Sequence, residues 1–177
     1  VPANIITIFS NAFVYVGLYL ACNPEVSGNV ATRLSIAGCL LIYLIGDHLD
    51  GMQAKRTGTS SALGEFCDHY LDAFNNGVIV FTLLTVFDVS NPVIIGATVS
   101  ASYLAHMAIF YEQFKTGWLT FEKMGSLEGV LFAIVLIASS AIPIVNDLLL
   151  YPILDTLTLF EAIMLASAIG AIVTFFT

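Results

Sequence analysis

Charged residues are scarce in this chain. They make up 10% of its 177 residues, and only five residues are lysine or arginine. A soluble domain usually has about 25% charged residues, so the composition excludes an ordinary soluble protein. The chain has few basic residues and a formal net charge of −8. This balance argues against nucleic acid as a partner. The three cysteines show no CxxC spacing, which predicts small buried residues rather than a disulfide framework.

Apolar residues take the place of the missing charges. The chain is 58% hydrophobic and its mean hydropathy is +0.93. We predict an all-α integral membrane protein, with about six transmembrane helices in a single bundle, because a span needs about 20 mostly apolar residues. We expect one domain over residues 1–177 and no strand. The predicted spans are Pro2–Cys22, Ala31–Arg56, Ala62–Phe87, Val93–Phe114, Leu127–Val145 and Thr156–Phe176.

The few basic residues indicate how these helices are oriented. Lys55, Arg56, Lys115 and Lys123 fall in two connections that six spans would place on the same side of the membrane, and only Arg33 falls opposite. Because cytoplasmic loops are enriched in lysine and arginine, we expect both connections and both termini to be cytoplasmic.

A short polar turn joins the second and third predicted helices, and polar residues concentrate around it. Gly58 suits the end of one helix, and Ser60 or Ser61 suits the start of the next, which makes the two helices antiparallel neighbours. Residues 47–72 contain five of the 13 acidic residues and two of the three histidines. A dense polar patch in an apolar protein is costly, so it indicates a bound ligand, a metal or both.

Four aspartates in this patch form two pairs. Asp47 and Asp50 are three residues apart, and Asp68 and Asp72 are four apart, so each pair shares a face of its helix. Facing carboxylates do not all stay ionised without a counter-charge, and Mg²⁺ or Mn²⁺, which prefers oxygen ligands, supplies it. We predict a site for two such ions about 4 Å apart, which suits a pyrophosphate substrate.

Two glycines, Gly51 and Gly64, flank the aspartates. A glycine weakens a helix by about 1 kcal/mol relative to alanine, so each needs a reason to be there. One reason is the close approach of a ligand, and the other is ordinary packing between membrane helices. The neighbouring aspartates favour the ligand.

The spacing of these residues is similar to a known family signature. The pattern is Asp47-x-x-Asp50-Gly51-x-x-Ala54-Lys55, eight residues, then Gly64-x-x-x-Asp68-x-x-x-Asp72. It resembles the signature of the CDP-alcohol phosphotransferase family, DxxDGxxAR, eight residues, GxxxDxxxD, and seven of the eight fixed residues match. The exception is Lys55, where the family usually has arginine. Lysine keeps the charge but lacks the planar bidentate fork.

This resemblance implies a role for each matching residue. Asp47, Asp50 and Asp68 would bind metal, and Asp72 would help bind the second ion and act as general base for an acceptor hydroxyl, with CMP leaving. Residues matching Gly51, Ala54 and Gly64 lie against the cytidine nucleotide in the family. The family also implies six transmembrane helices and a homodimer. The candidate substrate-binding residues are Asn4, Asp50, Gly51, Ala54, Lys55, Gly64, Asp68 and Glu128.

Finer features are similar to the choline and ethanolamine phosphotransferase branch. They are Gln53, the Asp68-His69 pair, the entry segment Asn4–Thr7, and residues 112–117 with 125–129. The branch implies CDP-choline or CDP-ethanolamine as donor and diacylglycerol as acceptor. A CDP-diacylglycerol-dependent phosphatidyltransferase acting on a small alcohol is the alternative. Because eukaryotic members are longer, we expect a compact prokaryotic inner-membrane protein.

Several other side chains carry two interpretations. His69 could assist proton transfer or hydrogen-bond its neighbours, and the second is favoured. Glu65 could support the aspartates or face Lys55. Glu128 could orient the acceptor or complement a helix dipole. His106, in an apolar helix, is interpreted as a packing residue.

A cation channel or transporter is an interpretation of a different class, because intramembrane carboxylates also mark ion paths. Here the acids crowd one end of the membrane, and the outer halves of the helices offer no continuing polar relay. A non-catalytic scaffold ranks last, since it has no need for both glycines beside the aspartates.

Overall fold

The computed structural model describes residues 2–23, 28–116 and 126–176. Within these ranges the chain forms seven helices and one two-stranded hairpin. The elements are α1 Ala3–Cys22, α2 Val30–Thr57, α3 Ala62–Val86, α4 Pro92–Thr116, α5 Ser126–Ser139, α6 Pro143–Leu149, β1 Pro152–Leu154, β2 Leu157–Thr158 and α7 Leu159–Phe176. Lys123, used above for orientation, lies outside the described residues, as do Gly117 and Gly125 of the segments 112–117 and 125–129 noted above.

The turn between α2 and α3 has the predicted form. Gly58 ends α2 in the left-handed region, with φ +65°, which glycine adopts without a steric penalty. The N–H of Gly58 donates to the carbonyl of Lys55 at 3.3 Å. Ser61 begins α3, because its Oγ accepts a hydrogen bond from the N–H of Gly64 at 3.1 Å. The prediction of capped, adjacent helices on either side of the aspartate motif is therefore confirmed.

The fifth predicted span is wrong as a continuous helix. Helix α5 ends at Ser139, and α6 leaves at an angle of 118° to it. Pro143 lies in the first turn of α6, where its missing N–H removes no helical hydrogen bond. A proline inside one long helix would instead have removed such a bond and clashed with the preceding turn.

The last predicted span is also wrong at its start. Residues 152–158 form an antiparallel hairpin, so the prediction of no strand fails here, and the helix begins at Leu159 rather than Thr156. Thr158 and Glu161 explain the boundary: Glu161 Oε2 accepts from the Thr158 N–H at 2.9 Å, and the Glu161 N–H donates to Thr158 Oγ1 at 3.2 Å. This reciprocal capping box fixes a helix start.

The described helices support a membrane protein of the all-α class, with the small hairpin as an addition. Among the described residues, α1 and α2 are each long and apolar enough to cross a bilayer, and the bent α5–α6 pair could form a third span. Helices α4 and α7 contribute shorter apolar segments. The count of six spans stays a prediction.

Close packing of α1 on α2 positions the polar motif. A Cβ added at Gly46 would lie 2.3 Å from the Cβ of Ser10, so only glycine allows the two helices to come this close. Val14, Ile36 and Leu40 continue this contact and are fully buried. The approach at Gly46 brings the first turns of α1 beside Asp50, one turn further along α2.

Candidate active site

Asp50 is held by a hydroxyl from α1. Thr7 Oγ1 donates a hydrogen bond to Asp50 Oδ2 at 2.5 Å, and only 4% of the Asp50 surface is exposed. A buried carboxylate is costly unless it is hydrogen-bonded, so Thr7 removes part of that cost. The contact depends on the close α1–α2 packing at Gly46.

Asp72 is held by a hydroxyl from α2. Tyr43 Oη donates to Asp72 Oδ1 at 3.0 Å, and Tyr43 is 4% exposed. A carboxylate has two oxygens, so Asp72 keeps one for a cation or a substrate proton while Tyr43 holds the other. Tyr43 lies one turn before Asp47 on α2, and this places Asp72 opposite the aspartate pair of α2.

Asp47 and Asp72 line the same small cleft, which has a volume of about 20 Å³. The walls come from α2, α3 and α5, and include Tyr43, Asn76 and Leu127. The prediction that carboxylates of two neighbouring helices face each other holds for this pair. His48 borders the cleft, with its Nδ1 2.9 Å from the carbonyl of Leu44.

Asp50 points to a different side from Asp47. Residues three apart on a helix differ by about 60° around its axis, since each residue turns it by about 100°. Asp47 therefore reaches the cleft beside α3, whereas Asp50 lies against α1 on Thr7. Of the three predicted metal ligands whose side chains the structure describes, Asp47 and Asp72 line the cleft and Asp50 is oriented by α1.

The side chain of Asp68 lies outside the described part of the structure, as does that of Glu65. Asp68 precedes Asp72 by one turn of α3. Among the side chains that the structure does describe, no group of three or more His, Cys, Asp or Glu is gathered closely enough to hold a metal ion. The donors that are present, carboxylate oxygens of Asp47 and Asp72 on one cleft, fit a hard divalent cation.

A buried polar network beneath the aspartates was missed by the sequence reasoning. Asn11 Nδ2 donates to the carbonyl of Thr7 at 2.7 Å, and Asn75 Nδ2 donates to Asn11 Oδ1. Asn75 is fully buried and lies three residues after Asp72. The network therefore links Thr7 on α1, which hydrogen-bonds Asp50, to α3, the helix that carries Asp72. The signal available in the sequence was Thr7 and Asn11, polar residues four apart in an apolar helix.

The predicted nucleotide-binding residues lie along the start of α3 and the end of α2. Gly51 and Ala54 are half-buried, while Lys55 and Gly64 are exposed. Among the described residues, no atom lies within 4 Å of a Cβ added at Gly51, so the described packing does not by itself require this glycine. At Gly64 a Cβ would lie 3.2 Å from Ser61 Oγ, so the helix cap itself contributes to the requirement.

The remaining candidates lie around this region. Asn4 is exposed in the first turn of α1, and Glu128 is exposed in the first turn of α5. His69 stacks on Phe110, with ring centroids 5.4 Å apart. His106 is buried, as expected of a packing residue, and its Nδ1 lies 3.2 Å from Asn76 Nδ2.

The comparison with known proteins agrees with the motif. The model of the CDP-alcohol phosphatidyltransferase family matches residues 1–176. The chain therefore belongs to the CDP-alcohol phosphatidyltransferase family.

Three relatives illustrate the range of this family. An uncharacterised class-I family protein of Schizosaccharomyces pombe is 37% identical over 106 residues, 58% of this chain and 27% of the relative. The CDP-diacylglycerol–serine O-phosphatidyltransferase of Encephalitozoon cuniculi is 32% identical over 103 residues, 56% of this chain and 27% of the relative. Choline/ethanolaminephosphotransferase 1 of Saccharomyces cerevisiae is 28% identical over 141 residues, 75% of this chain and 35% of the relative.

The matches cover about a third or less of the length of these relatives. All three organisms are eukaryotes, so the expectation of a prokaryotic inner membrane stays a prediction. The two relatives with enzymatic names are named for different substrates, CDP-diacylglycerol and serine in one and choline or ethanolamine in the other.

Proposed function

We propose that this chain is a divalent-metal-dependent transferase of phospholipid synthesis, acting as one domain over residues 1–177. It moves a phosphoalcohol group from CDP-choline or CDP-ethanolamine to the hydroxyl of diacylglycerol and releases CMP. The observation that carries the proposal is the shared cleft of Asp47 and Asp72, within a family motif of which seven of the eight fixed residues match. The 28% identity to a choline/ethanolaminephosphotransferase over 75% of the chain supports this choice of substrates.

The metal site would use Asp47, Asp50, Asp68 and Asp72. Bound Mg²⁺ or Mn²⁺ would neutralise the pyrophosphate and the charge that develops as its bridge breaks. The chain's own contribution is to hold the carboxylates in place: Thr7 fixes one oxygen of Asp50, and Tyr43 fixes one oxygen of Asp72. Fixed ligands lose little entropy on binding an ion.

Asp72 is the proposed general base. Its carboxylate takes the proton of the acceptor hydroxyl, whose oxygen attacks the phosphorus nearer the alcohol. The bond from that phosphorus to the bridging oxygen breaks, and the bridging oxygen leaves on CMP. Its position on the cleft satisfies the need for a base within reach of the attacking group.

The donor nucleotide would lie along Gly51, Ala54 and Gly64, with Lys55 on its phosphates. The open space beside Gly51 supports close approach of a ligand there. Asn4 and Glu128, each exposed in the first turn of its helix, are proposed contacts at the edges of the site.

The proposed setting is a six-span membrane protein, as a homodimer, with its active site near the cytoplasmic face. The basic residues Lys55, Arg56 and Lys115 support the orientation, because cytoplasmic connections carry them in excess. A cytoplasmic cleft gives soluble CDP-choline access and leaves diacylglycerol in the membrane.

A substrate panel tests the proposal. Purified protein with Mg²⁺ should release CMP from CDP-choline or CDP-ethanolamine with diacylglycerol. The identity to the Encephalitozoon cuniculi enzyme favours CDP-diacylglycerol with serine or another small alcohol as the second candidate, and release only from that pairing would identify it. Absence of CMP from every pairing, together with metal flux in liposomes, would favour a channel or transporter instead.

A further inference from the structure

Arg33 is a buried cation near the end of α2 that is remote from the aspartate motif. It lies three residues after Val30, where the helix begins, and 9% of its surface is exposed. Asp50 follows 17 residues later, which is about 25 Å along the helix axis. Because the hydrocarbon core of a bilayer is about 30 Å thick, Arg33 and the aspartates belong to opposite faces of the membrane.

Neutral groups hold one nitrogen of this guanidinium. Nη1 of Arg33 donates a hydrogen bond to the carbonyl of Ser140 at 2.9 Å and another to Oδ1 of Asn146. Ser140 directly follows α5 and Asn146 lies on α6, so the guanidinium occupies the corner between these two helices. Within residues 2–23, 28–116 and 126–176, no carboxylate forms an ion pair with Arg33. A buried charge is costly unless it is paired, and this part of the chain supplies no counter-charge.

The other edge of the guanidinium has no acceptor in the described part of the chain. Nε is buried without a hydrogen-bond partner, and the hydrogen bonds from Arg33 to described residues come from Nη1. Nη2 is not enclosed as Nε is, so the edge opens outward at Nη2. Nε and Nη2 present two parallel N–H groups, the fork that binds two oxygens of a phosphate. Buried donors in proteins are nearly always paired, and an anion entering here would supply both the oxygens and the charge.

Apolar side chains lie beside this corner on α6. The helix leaves α5 at 118°, closer to perpendicular than to antiparallel, as expected of a helix that lies along the membrane surface beside a crossing α5. Ile144 and Leu148 are four residues apart, so they share a face, and they are 81% and 58% exposed. An apolar face of this kind lies at the boundary between headgroups and acyl chains. It favours a phospholipid over free phosphate as the source of the anion.

We infer that Arg33 binds the phosphate group of a membrane phospholipid at the face opposite the aspartate motif. Nε and Nη2 take two phosphate oxygens, while Ser140 and Asn146 hold Nη1 and so fix the plane of the guanidinium. The acyl region of the lipid lies against Ile144 and Leu148. The lipid would thereby join α2 to the corner between α5 and α6. This site does not involve the aspartate cleft and does not depend on the proposed function.

Solid-state NMR of the arginine side chains tests the contact directly in the natural chain. The chain has two arginines, Arg33 and Arg56, so ¹⁵N-arginine labelling gives two Nε signals, and Arg56→Lys assigns them. In phosphatidylcholine bilayers, dipolar coupling should place ³¹P within about 4 Å of Nε of Arg33, because a charge-assisted N···O distance is about 2.8 Å. Absence of this coupling at Arg33 would overturn the inference.

The source of the phosphate is tested in an uncharged, phosphate-free detergent. Phosphatidylcholine added to these micelles should restore the ³¹P coupling at Nε of Arg33, and inorganic phosphate added alone should not. Coupling with inorganic phosphate but not with phosphatidylcholine would overturn the lipid as the ligand.

Thermal unfolding in the same detergent tests which site binds the lipid. Phosphatidylcholine at about 100 times its Kd should raise the Tm of the natural chain by about 5 °C. Arg33→Gln should abolish the gain, and Arg33→Lys, which keeps the charge without the fork, should retain part of it. If Arg33→Gln does not fold, the reduced gain in Arg33→Lys serves as the test.

Asp72→Asn is the control for lipid bound at the aspartate cleft, and it should keep the full gain in Tm. A gain that is lost in Asp72→Asn and kept in Arg33→Gln would place the lipid at the cleft and overturn the inference. Neither the NMR nor the unfolding measurement uses CMP release. Failure of the proposed function therefore leaves this inference standing, and the reverse also holds.

Discussion

The hydroxyl of Tyr43 on α2 donates a 3.0 Å hydrogen bond to the carboxylate of Asp72 on α3. The contact crosses the two helices of the aspartate motif and is buried beside the cleft. A side chain from one half of the motif thus orients the proposed base of the other half. This hydrogen bond links the two helices that carry the aspartates.

Tyr43→Phe should weaken both metal binding and turnover. The substitution keeps the ring and removes the hydroxyl, so Asp72 loses its orientation while the packing stays. Loss of a partner of this kind costs about 10- to 100-fold in metal affinity or activity. The measurement is Mn²⁺ binding by electron paramagnetic resonance beside CMP release. Tyr19→Phe, on the exposed face of α1, is the control, and equal effects of the two would show that the Tyr43 contact has no role.

Thr7→Val should weaken the site through Asp50. Valine has the shape of threonine without the hydroxyl, so it leaves a buried carboxylate oxygen without its partner. The expected cost is about 1–3 kcal/mol in the free energy of unfolding, with a parallel loss of metal affinity. Thr7→Ser keeps a hydroxyl and should retain most of both. Thermal unfolding with and without Mn²⁺ measures the effect, and indistinguishable Val and Ser variants would contradict it.

Gly46→Ala should push α1 away from α2. The added Cβ would lie 2.3 Å from Ser10 Cβ, and overpacking of this kind costs about 1–3 kcal/mol. The shift should also separate Thr7 from Asp50 and lower activity. Gly38→Ala on the same helix meets nothing within 4 Å. Since alanine favours a helix by up to about 1 kcal/mol over glycine, this control should be neutral or stabilising.

Lys55→Arg should strengthen donor binding. Arginine is the residue usual in the family signature, and its planar fork binds phosphate in a bidentate manner. Lys55 is exposed at the end of α2, so there is room for the larger group. The KM for the CDP donor should fall, with the KM for diacylglycerol unchanged. Arg56→Lys, about 100° around the helix, is the control. A donor KM that rises in Lys55→Arg would show that this lysine has a role of its own.

The sequence predicts those features that follow from helical periodicity or from contacts between residues close together in the chain. The apolar runs predicted α1 to α4 closely, and Gly58 with Ser61 predicted the turn between α2 and α3. The aspartate spacing predicted the shared cleft of Asp47 and Asp72. Each of these features depends on helical periodicity or on a local hydrogen bond.

Features that depend on distant contacts were not predicted. Thr7 and Asp50 are 43 residues apart, and Asn11 and Asn75 are 64 apart, so their pairing needs the packed bundle. The break before Pro143 and the hairpin before Thr158 were missed because the apolar composition runs through both. The contact of His106 with Asn76 was not predicted, because it forms only when α3 and α4 meet.

The most direct measurement counts Mn²⁺ ions bound to the protein with a CDP nucleotide, in the natural chain and in Asp47→Asn and Asp72→Asn variants. Asp88→Asn is the control, because Asp88 lies beyond the end of α3 and has a φ of 54°, which asparagine tolerates. The account predicts that either aspartate substitution at the cleft abolishes tight binding of at least one ion, and that Asp88→Asn binds as the natural chain does. Unchanged Mn²⁺ binding in both cleft variants would contradict a metal site shared between α2 and α3.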